Sequence, residues 1–395
     1  MAFSWGNPIN WLRSYRHLTA FIWDTTDRKR AEWAQRQAER YGSPEFRFHR
    51  DDLPDEFSFI VMGDTGEGDS SQIVVVDKFL KEAADTSFSV IASDVIYPSG
   101  RSHEYRENFY VPYRNYPQDI YAVPGNHDWY DELVGFMIHF CDNTFHRLDT
   151  HQQTVDLEKL KMLRIIRCNK FFQPNMYFYI DTKYVRLVFI DTGIKGRIGE
   201  SQKEWLEKIS GDEGDKPKIL ISGKPIFVDG KFNENLRDLN AIVNHFNYRL
   251  IIAGDIHNYQ KYRISAVSDG KQKIIWHLVN GGGGAYLSRT HTIPEAKDMT
   301  FPPDLKIRLQ DESFDFECYP NRETSRRLYG SWLLSKLPDA FADHDQPPYH
   351  KSFIKVYIQT TGIRVQVFGI RHFGADSFNA GPISEWEIPY QDIDE

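Results

Sequence analysis

Apolar, β-branched runs along this chain stop abruptly at glycine and a polar residue. Phe57–Met62 runs into Gly63-Asp64, Phe88–Ala92 into Ser93-Asp94, and Asp119–Val123 into Pro124-Gly125-Asn126. Short apolar runs bounded in this way read as buried strands with polar residues at their C-terminal ends. Helix-compatible stretches fill the gaps, at 70–84 and 129–140. Strand, helix, strand in this order predicts right-handed crossovers and a sheet whose strand ends share one rim, the usual place for a ligand in open α/β sheets. The habit returns further on. Residues 176–182 and 184–190 read as a hairpin turned at Thr182-Lys183. Residues 218–221, 249–253 and 274–279 read as buried strands ending at Gly223-Lys224, Gly254-Asp255 and Gly281–Gly284. Residues 353–359 and 363–368 predict a closing hairpin turned at Thr361-Gly362.

The two flanks behave differently. In residues 1–50, Trp5, Trp11, Leu12, Phe21, Ile22 and Trp23 mix with Arg13, Arg16 and His17, and a charged helical stretch follows over Thr26–Tyr41. This predicts a helical arm that packs its aromatics on the main body. The interleaving of basic and aromatic residues also fits a helix lying at a membrane interface. Residues 285–350 are polar, proline-bearing and irregular, and read as an insertion of loops with a helix near 326–334. The expected organisation is therefore an arm (1–50), a core (51–284), an insertion placed to act as a lid (285–350), and a hairpin with a tail completing the core (351–395).

Composition narrows the function. With 27 Phe and 21 Tyr in 395 residues, a large packed core is expected. A net charge of −8 argues against a general nucleic-acid binder, which needs a basic face. Cys141, Cys168 and Cys318 are too few and too scattered for a disulfide framework or a zinc knuckle. No secretory leader pattern opens the sequence, and no run reaches the ~18 apolar residues of a membrane span. A reduced, cytoplasmic setting is the expectation.

The candidate chemistry lies in five strand-end signatures: Gly63-Asp64-Thr65-Gly66, Ser93-Asp94-Val95-Ile96-Tyr97, Gly125-Asn126-His127-Asp128, Ser222-Gly223-Lys224-Pro225 and Gly254-Asp255-Ile256-His257. Singly, each is no more than a turn, since Asp and Gly end strands for local reasons. Together, in this order, they resemble the calcineurin-like metallophosphoesterases, and within them the purple acid phosphatase pattern of GDxG, GDxxY, GNH(D/E), a lone His and GHxH. Gln202-Lys203-Glu204-Trp205-Leu206 and Asn258-Tyr259 extend the resemblance, which covers roughly residues 57–284. It implies an α/β fold, a four-layer sandwich of two mixed β-sheets flanked by helices, and metal-dependent hydrolysis of phosphate mono- or diesters.

The resemblance also assigns roles. Asp64, Asp94, Tyr97 and His257 would hold a first metal, with Asp94 bridging to a second. A phenolate is a hard anionic ligand and suits trivalent iron. Asn126 would give its amide oxygen to the second metal. His127 would face the substrate, oriented by Asp128, and act on the leaving group. A metal would lower the pKa of its water toward ~7 and so supply hydroxide for in-line attack. Two departures strike the second site: Gly223 stands where a ligand His is expected, and Asp255 where the fifth motif should begin with His. Either Asp94, Asn126 and Asp255 form an all-oxygen site for Mg²⁺ or Mn²⁺, or Lys224 paired with Asp255 occupies that region as a point charge. The same losses fit a degenerate relative that binds without turnover, and the N-terminal arm fits a relative acting on lipid phosphates.

Remaining residues read more plainly. Glu67 and Asp69 read as turn and N-cap residues. Asp191 reads as structural support beneath the site. His139, His146 and His151 fit a helix face better than a metal cluster. His103, Arg289 and His291 lie in loops expected to border the site, where they would bind phosphate. Gly281–Gly284 lacks the Lys-Ser/Thr of a phosphate loop.

Overall fold

A computed structural model describes residues 24–142, 172–212, 214–268, 271–287, 316–319, 349–372 and 382–391. The expected strands form: β1 (Phe57–Met62), β2 (Phe88–Ala92), β3 (Asp119–Val123), β4 (Phe178–Asp181), β5 (Arg186–Ile190) and β6 (Lys218–Ser222). A two-stranded hairpin of β7 (Phe227–Val228) and β8 (Lys231–Phe232) follows, then β9 (Tyr248–Ala253), β10 (Tyr259–Ser268) and β11 (Lys271–Asn280). The last strands are β12 (Phe316–Tyr319), β13 (Tyr349–Ile358), β14 (Gly362–His372) and β15 (Ser384–Pro389). One sheet runs in the order β15-β14-β13-β1-β2-β3, the other β12-β10-β11-β9-β6-β5-β4. Both are mixed. β1, β2 and β3 are parallel while β13 runs against β1. β5, β6, β9 and β11 are parallel while β4 and β10 are antiparallel to their neighbours.

β2, β3, β5, β6 and β9 are buried along their length, which is why they read as continuous apolar runs rather than alternating ones. One continuous hydrophobic core links residues of both sheets. The sheets also meet through polar side chains, because Asn280 Nδ2 donates to the Val61 carbonyl at 3.0 Å and Ser352 Oγ donates to Asn280 Oδ1 at 3.0 Å. That contact sets the ends of β1 and β11 side by side. The fold is thus two mixed sheets flanked by helices.

Helix α1 (Thr26–Tyr41) begins and ends where the charged stretch of the sequence predicts. It buries Trp33, whose Nε1 donates to the Glu132 carbonyl at 2.9 Å. Arg30, 3% exposed, places Nε 2.6 Å from Asp191 Oδ2. Asp191 in turn accepts from Trp129 Nε1 at 2.9 Å, so a buried ion pair ties α1 to the chain beside the candidate site. Breaking a buried pair leaves an uncompensated charge. Arg30→Ala is therefore expected to cost roughly 3–5 kcal/mol in urea unfolding. A loss below about 1 kcal/mol would show the pair to be dispensable.

Helix α2 (Ser70–Glu82) is capped by Asp69, whose side chain accepts from the backbone N–H of Ser71 and Gln72 at 3.0 and 3.2 Å, as the sequence predicts. The helix expected at 129–140 is instead two pieces, α3 (Asn126–Trp129) and α4 (Val134–Phe140). Glu132 and Leu133 take positive φ between them and turn the chain so that Leu133 is buried. α5 (Glu200–Gly211) carries the Gln202–Leu206 segment, and α6 (Arg237–His245) packs beside it. Strands β10, β12 and β15 are not foreseen by the apolar pattern. β12 falls inside the stretch read as irregular, where it pairs with β10. The helix expected near 326–334, the aromatic residues before position 24, His146, His151 and Cys168 lie outside the described residues. No helix among the described residues is long and apolar enough to cross a membrane.

Two histidines are buried. His139 is more deeply buried than the surface or half-buried helix position expected of it. Its ring meets Ser102 Oγ at 2.9 Å and Tyr110 OH at 3.0 Å, and stacks on Tyr105. His277 on β11 is buried with the Phe227 ring edge-on at 4.8 Å, and neither ring nitrogen has a hydrogen-bond partner among the described residues. Burial pushes its pKa down from 6.5 to about 3. The unfolded chain therefore takes up a proton that the folded chain refuses, between pH 6.5 and about 3. The stability from a neutral His277 is complete above pH 6.5 and is lost as the pH falls toward 3. His277→Phe is expected to flatten acid destabilisation across that window by up to roughly 4–5 kcal/mol, read as Tm against pH. Parallel pH profiles for both proteins would refute this.

Candidate metal centre

Three strand-end aspartates occupy the left-handed region, with φ of +58° at Asp64, +27° at Asp94 and +70° at Asp255. Non-glycine residues take this conformation at a cost, and Asp is among the few that tolerate it. The turns aim these side chains at one point on the shared rim. Asp64 is fully buried and Asp94 nearly so.

The first set of candidate ligands converges. Tyr97 OH lies 3.3 Å from Asp64 Oδ1, 3.1 Å from Asp94 Oδ2 and 3.1 Å from His257 Nε2. His257 Nε2 is 3.7 Å from Asp64 Oδ1. Asp64, Asp94 and His257 each offer a ligand atom within 4.8 Å of the others, all three buried. Burial, then the neighbouring Asp94 and Asp255, hold the Asp64 carboxyl well above the usual carboxylate range. Burial, with Asp94 and Asp64 nearby, pushes the Tyr97 phenol well above 10. Buried oxygens crowded in this way with one imidazole nitrogen are a donor set that a cation satisfies, since the ion returns the charge that desolvation and repulsion otherwise penalise. The residues fit a metal.

A Cβ at Gly66 would lie 1.9 Å from the Val95 carbonyl oxygen, so no side chain can enter from that position. The Tyr97 hydroxyl, from the next strand end, lies among Asp64, Asp94 and His257.

The second set converges on a lysine. Lys224 Nζ donates to Asn126 Oδ1 at 3.0 Å and forms an ion pair with Asp255 Oδ1. Asn126 is turned for this, because its Nδ2 donates to Tyr130 OH at 3.0 Å. The Asp255 backbone N–H donates to Asp64 Oδ2 at 2.8 Å and joins the two halves. Gly223 has no room for a ligand: a Cβ there would sit 2.8 Å from both the Pro124 carbonyl oxygen and Thr192 Oγ1. Thr192 Oγ1 instead accepts the Lys224 N–H at 2.8 Å and fixes the base of that side chain.

His127 takes its orientation from a different partner than the sequence suggests. Its Nδ1 donates to the Pro98 carbonyl at 2.7 Å, and its ring lies over Tyr97 with centroids 4.3 Å apart. Asp128 points into the backbone. It accepts from Val95 N at 3.0 Å, Gly125 N at 3.0 Å and Ile96 N at 3.3 Å, bracing the loops of Asp94 and Asn126. Asp128 therefore positions backbone and does not orient His127. Burial, with Asp94 nearby, raises its carboxyl to about 8. The His127 N–H donates to Asp94 Oδ1 at 2.8 Å.

Of the remaining candidates, His103 is exposed on a 3-10 turn (Ser102–Glu104), and among the described residues no hydrogen bond or ion pair joins it to the cluster. Arg289 and His291 lie outside the described residues. Sequence reasoning missed Tyr130 and Tyr286. Tyr286 sits edge-on to His257 at 4.5 Å between centroids. The spacing of four from Asn126 to Tyr130 was a usable signal, since one helical turn stacks such a pair. Tyr286 follows a glycine run and carries no local signal.

Comparisons with known proteins agree with the fold. The family model for calcineurin-like phosphoesterases matches residues 57–259, just over half of the 395-residue chain. The chain belongs to that family. Among solved structures it is similar to a purple acid phosphatase from yellow lupin (Lupinus luteus) seeds, with a TM-score of 0.50 at 14% identity, over 85% of this chain and 55% of that one. It is also similar to GAP50, the anchor in the inner membrane complex of Plasmodium, with a TM-score of 0.50 at 12% identity, over 85% of this chain and 90% of that one. No curated protein sequence matches the chain significantly.

Proposed function

We propose that this protein hydrolyses phosphate esters with one bound metal, and that Lys224 stands where a second would act. The observation that carries the proposal is the position of the Lys224 ammonium, held between Asn126 Oδ1 and Asp255 Oδ1. Asp64, Asp94, Tyr97 and His257 would hold the ion, and the phenol among them favours iron over zinc. When bound, such an ion supplies Lewis acidity and a water acidified at neutral pH. The chain supplies the rest. An ammonium has three donor hydrogens. Two serve Asn126 and Asp255 among the described residues, which leaves the third for a phosphoryl oxygen. Nδ1 of His127 is committed to the Pro98 carbonyl, so proton exchange with a leaving-group oxygen would run through Nε2. Asp128 keeps the loops of Asp94 and Asn126 in register, which holds these groups at fixed distances before substrate arrives.

The test is metal stoichiometry of the purified protein together with turnover of an aryl phosphate on loading with Fe, Mn, Mg or Zn. One metal per chain, turnover, and a tyrosinate-to-iron absorption band are expected. Two tightly held metals per chain contradict the lysine substitution. Metal uptake without turnover favours a second reading, a binding module. That reading draws on the same saturation of Asn126 and Asp255 by Lys224, and on the shared fold of GAP50, an anchor.

A further inference from the structure

We infer that this site selects singly charged phosphodiesters over doubly charged phosphomonoesters. The inference rests on the reading above, that Lys224 takes the place of a second ion. Its basis is the charge the chain places around the rim. Asp64, Asp94 and Asp255 contribute three carboxylates, and among the described residues Lys224 is the one Lys or Arg side chain in contact with them. One divalent ion and one ammonium balance three carboxylates. A trivalent ion bound by the Tyr97 phenolate gives the same balance. Glu67 is a further buried acid whose charge acts on Tyr97. The rim therefore has no surplus positive charge for a dianion.

The donors point the same way. Asn126 and Asp255 already take two of the three Lys224 hydrogens, so one is left for one non-bridging oxygen. A phosphomonoester carries a charge near −2 above its second pKa of about 6 and presents three terminal oxygens. A diester carries one charge and presents two. One ion and one remaining lysine hydrogen match two oxygens. The third oxygen and second charge of a monoester would face the carboxylates, and an added like charge beside them changes affinity by roughly tenfold or more.

The experiment uses the metal-loaded full chain at pH 8 and two probes of similar shape, phenylphosphonate (a dianion) and methyl phenylphosphonate (a monoanion). Calorimetric binding is expected to favour the monoanion by about tenfold or more. Asp255→Asn removes one negative charge and should reduce that preference by about tenfold. Equal or reversed affinities, no binding of either probe, or an unchanged ratio in a folded Asp255→Asn protein would overturn the inference. The wild-type ratio decides alone where the variant fails to fold. Turnover of bis(para-nitrophenyl) phosphate against para-nitrophenyl phosphate separates this claim from the one beneath it. Selective monoanion binding with no turnover of either ester removes the hydrolytic reading and keeps the charge selection. Faster hydrolysis of the monoester keeps hydrolysis and removes the selection.

Discussion

Asp64→Asn is expected to abolish metal retention and lower turnover by about 10³-fold or more, because a neutral amide neither balances the ion nor replaces a buried carboxylate ligand. The same change should leave the metal-free protein as stable as wild type or more so. Asp64 is buried beside Asp94 and Asp255, and those neighbours together with desolvation make its charged form unfavourable when no ion is present. The diagnostic is a pair of melting curves. Metal added at a hundredfold excess over its dissociation constant should stabilise wild type by about 2.7 kcal/mol and leave the variant unmoved. A variant that melts earlier without metal would indicate a structural role. A variant that still gains stability from metal would remove Asp64 from the ligand set.

The second large effect belongs to Lys224→Ala. Loss of a preorganised donor at developing charge typically costs about 10²–10³ in rate. Here the loss also leaves Asp255 without its cation, close to Asp64, whose Oδ2 accepts the Asp255 N–H. Two consequences can be separated. The missing ammonium should lower kcat with little effect on metal content. The uncovered Asp255 carboxylate, with Asp94 and Asn126, should create an oxygen-only pocket that Mg²⁺ or Mn²⁺ can enter. Rate recovery in Lys224→Ala at millimolar Mn²⁺, with none in wild type, would support both. Unchanged kcat in Lys224→Ala would end the assignment of Lys224 to catalysis.

Much of this fold is legible in the amino-acid order alone. β1, β2, β3, β6 and β9 could be read from apolar runs because parallel strands are covered on both faces and tolerate few polar residues. Asp69 as an N-cap followed from the Ser pair after it. The strands that escaped notice, β10, β12 and β15, lie toward sheet edges or carry charged residues such as Lys261 and Glu317, whose ion pair at 2.7 Å exists only once those strands are adjacent. The break between α3 and α4 escaped because helical periodicity continues through it, whereas the left-handed turn at Glu132 and Leu133 answers to burial of Leu133.

The sequence by itself determined the resemblance to the family, which implies the two-sheet α/β plan, and which side chains stand at strand ends, because these depend on residue type and order along a few contiguous segments. Only the tertiary structure decided that Lys224 reaches both Asn126 and Asp255, that Pro98 rather than Asp128 holds His127, and that Gly66 and Gly223 have no space for a side chain. Each of those depends on distances between segments far apart in the chain. Such distances are fixed by how the two sheets pack, and no local pattern encodes them.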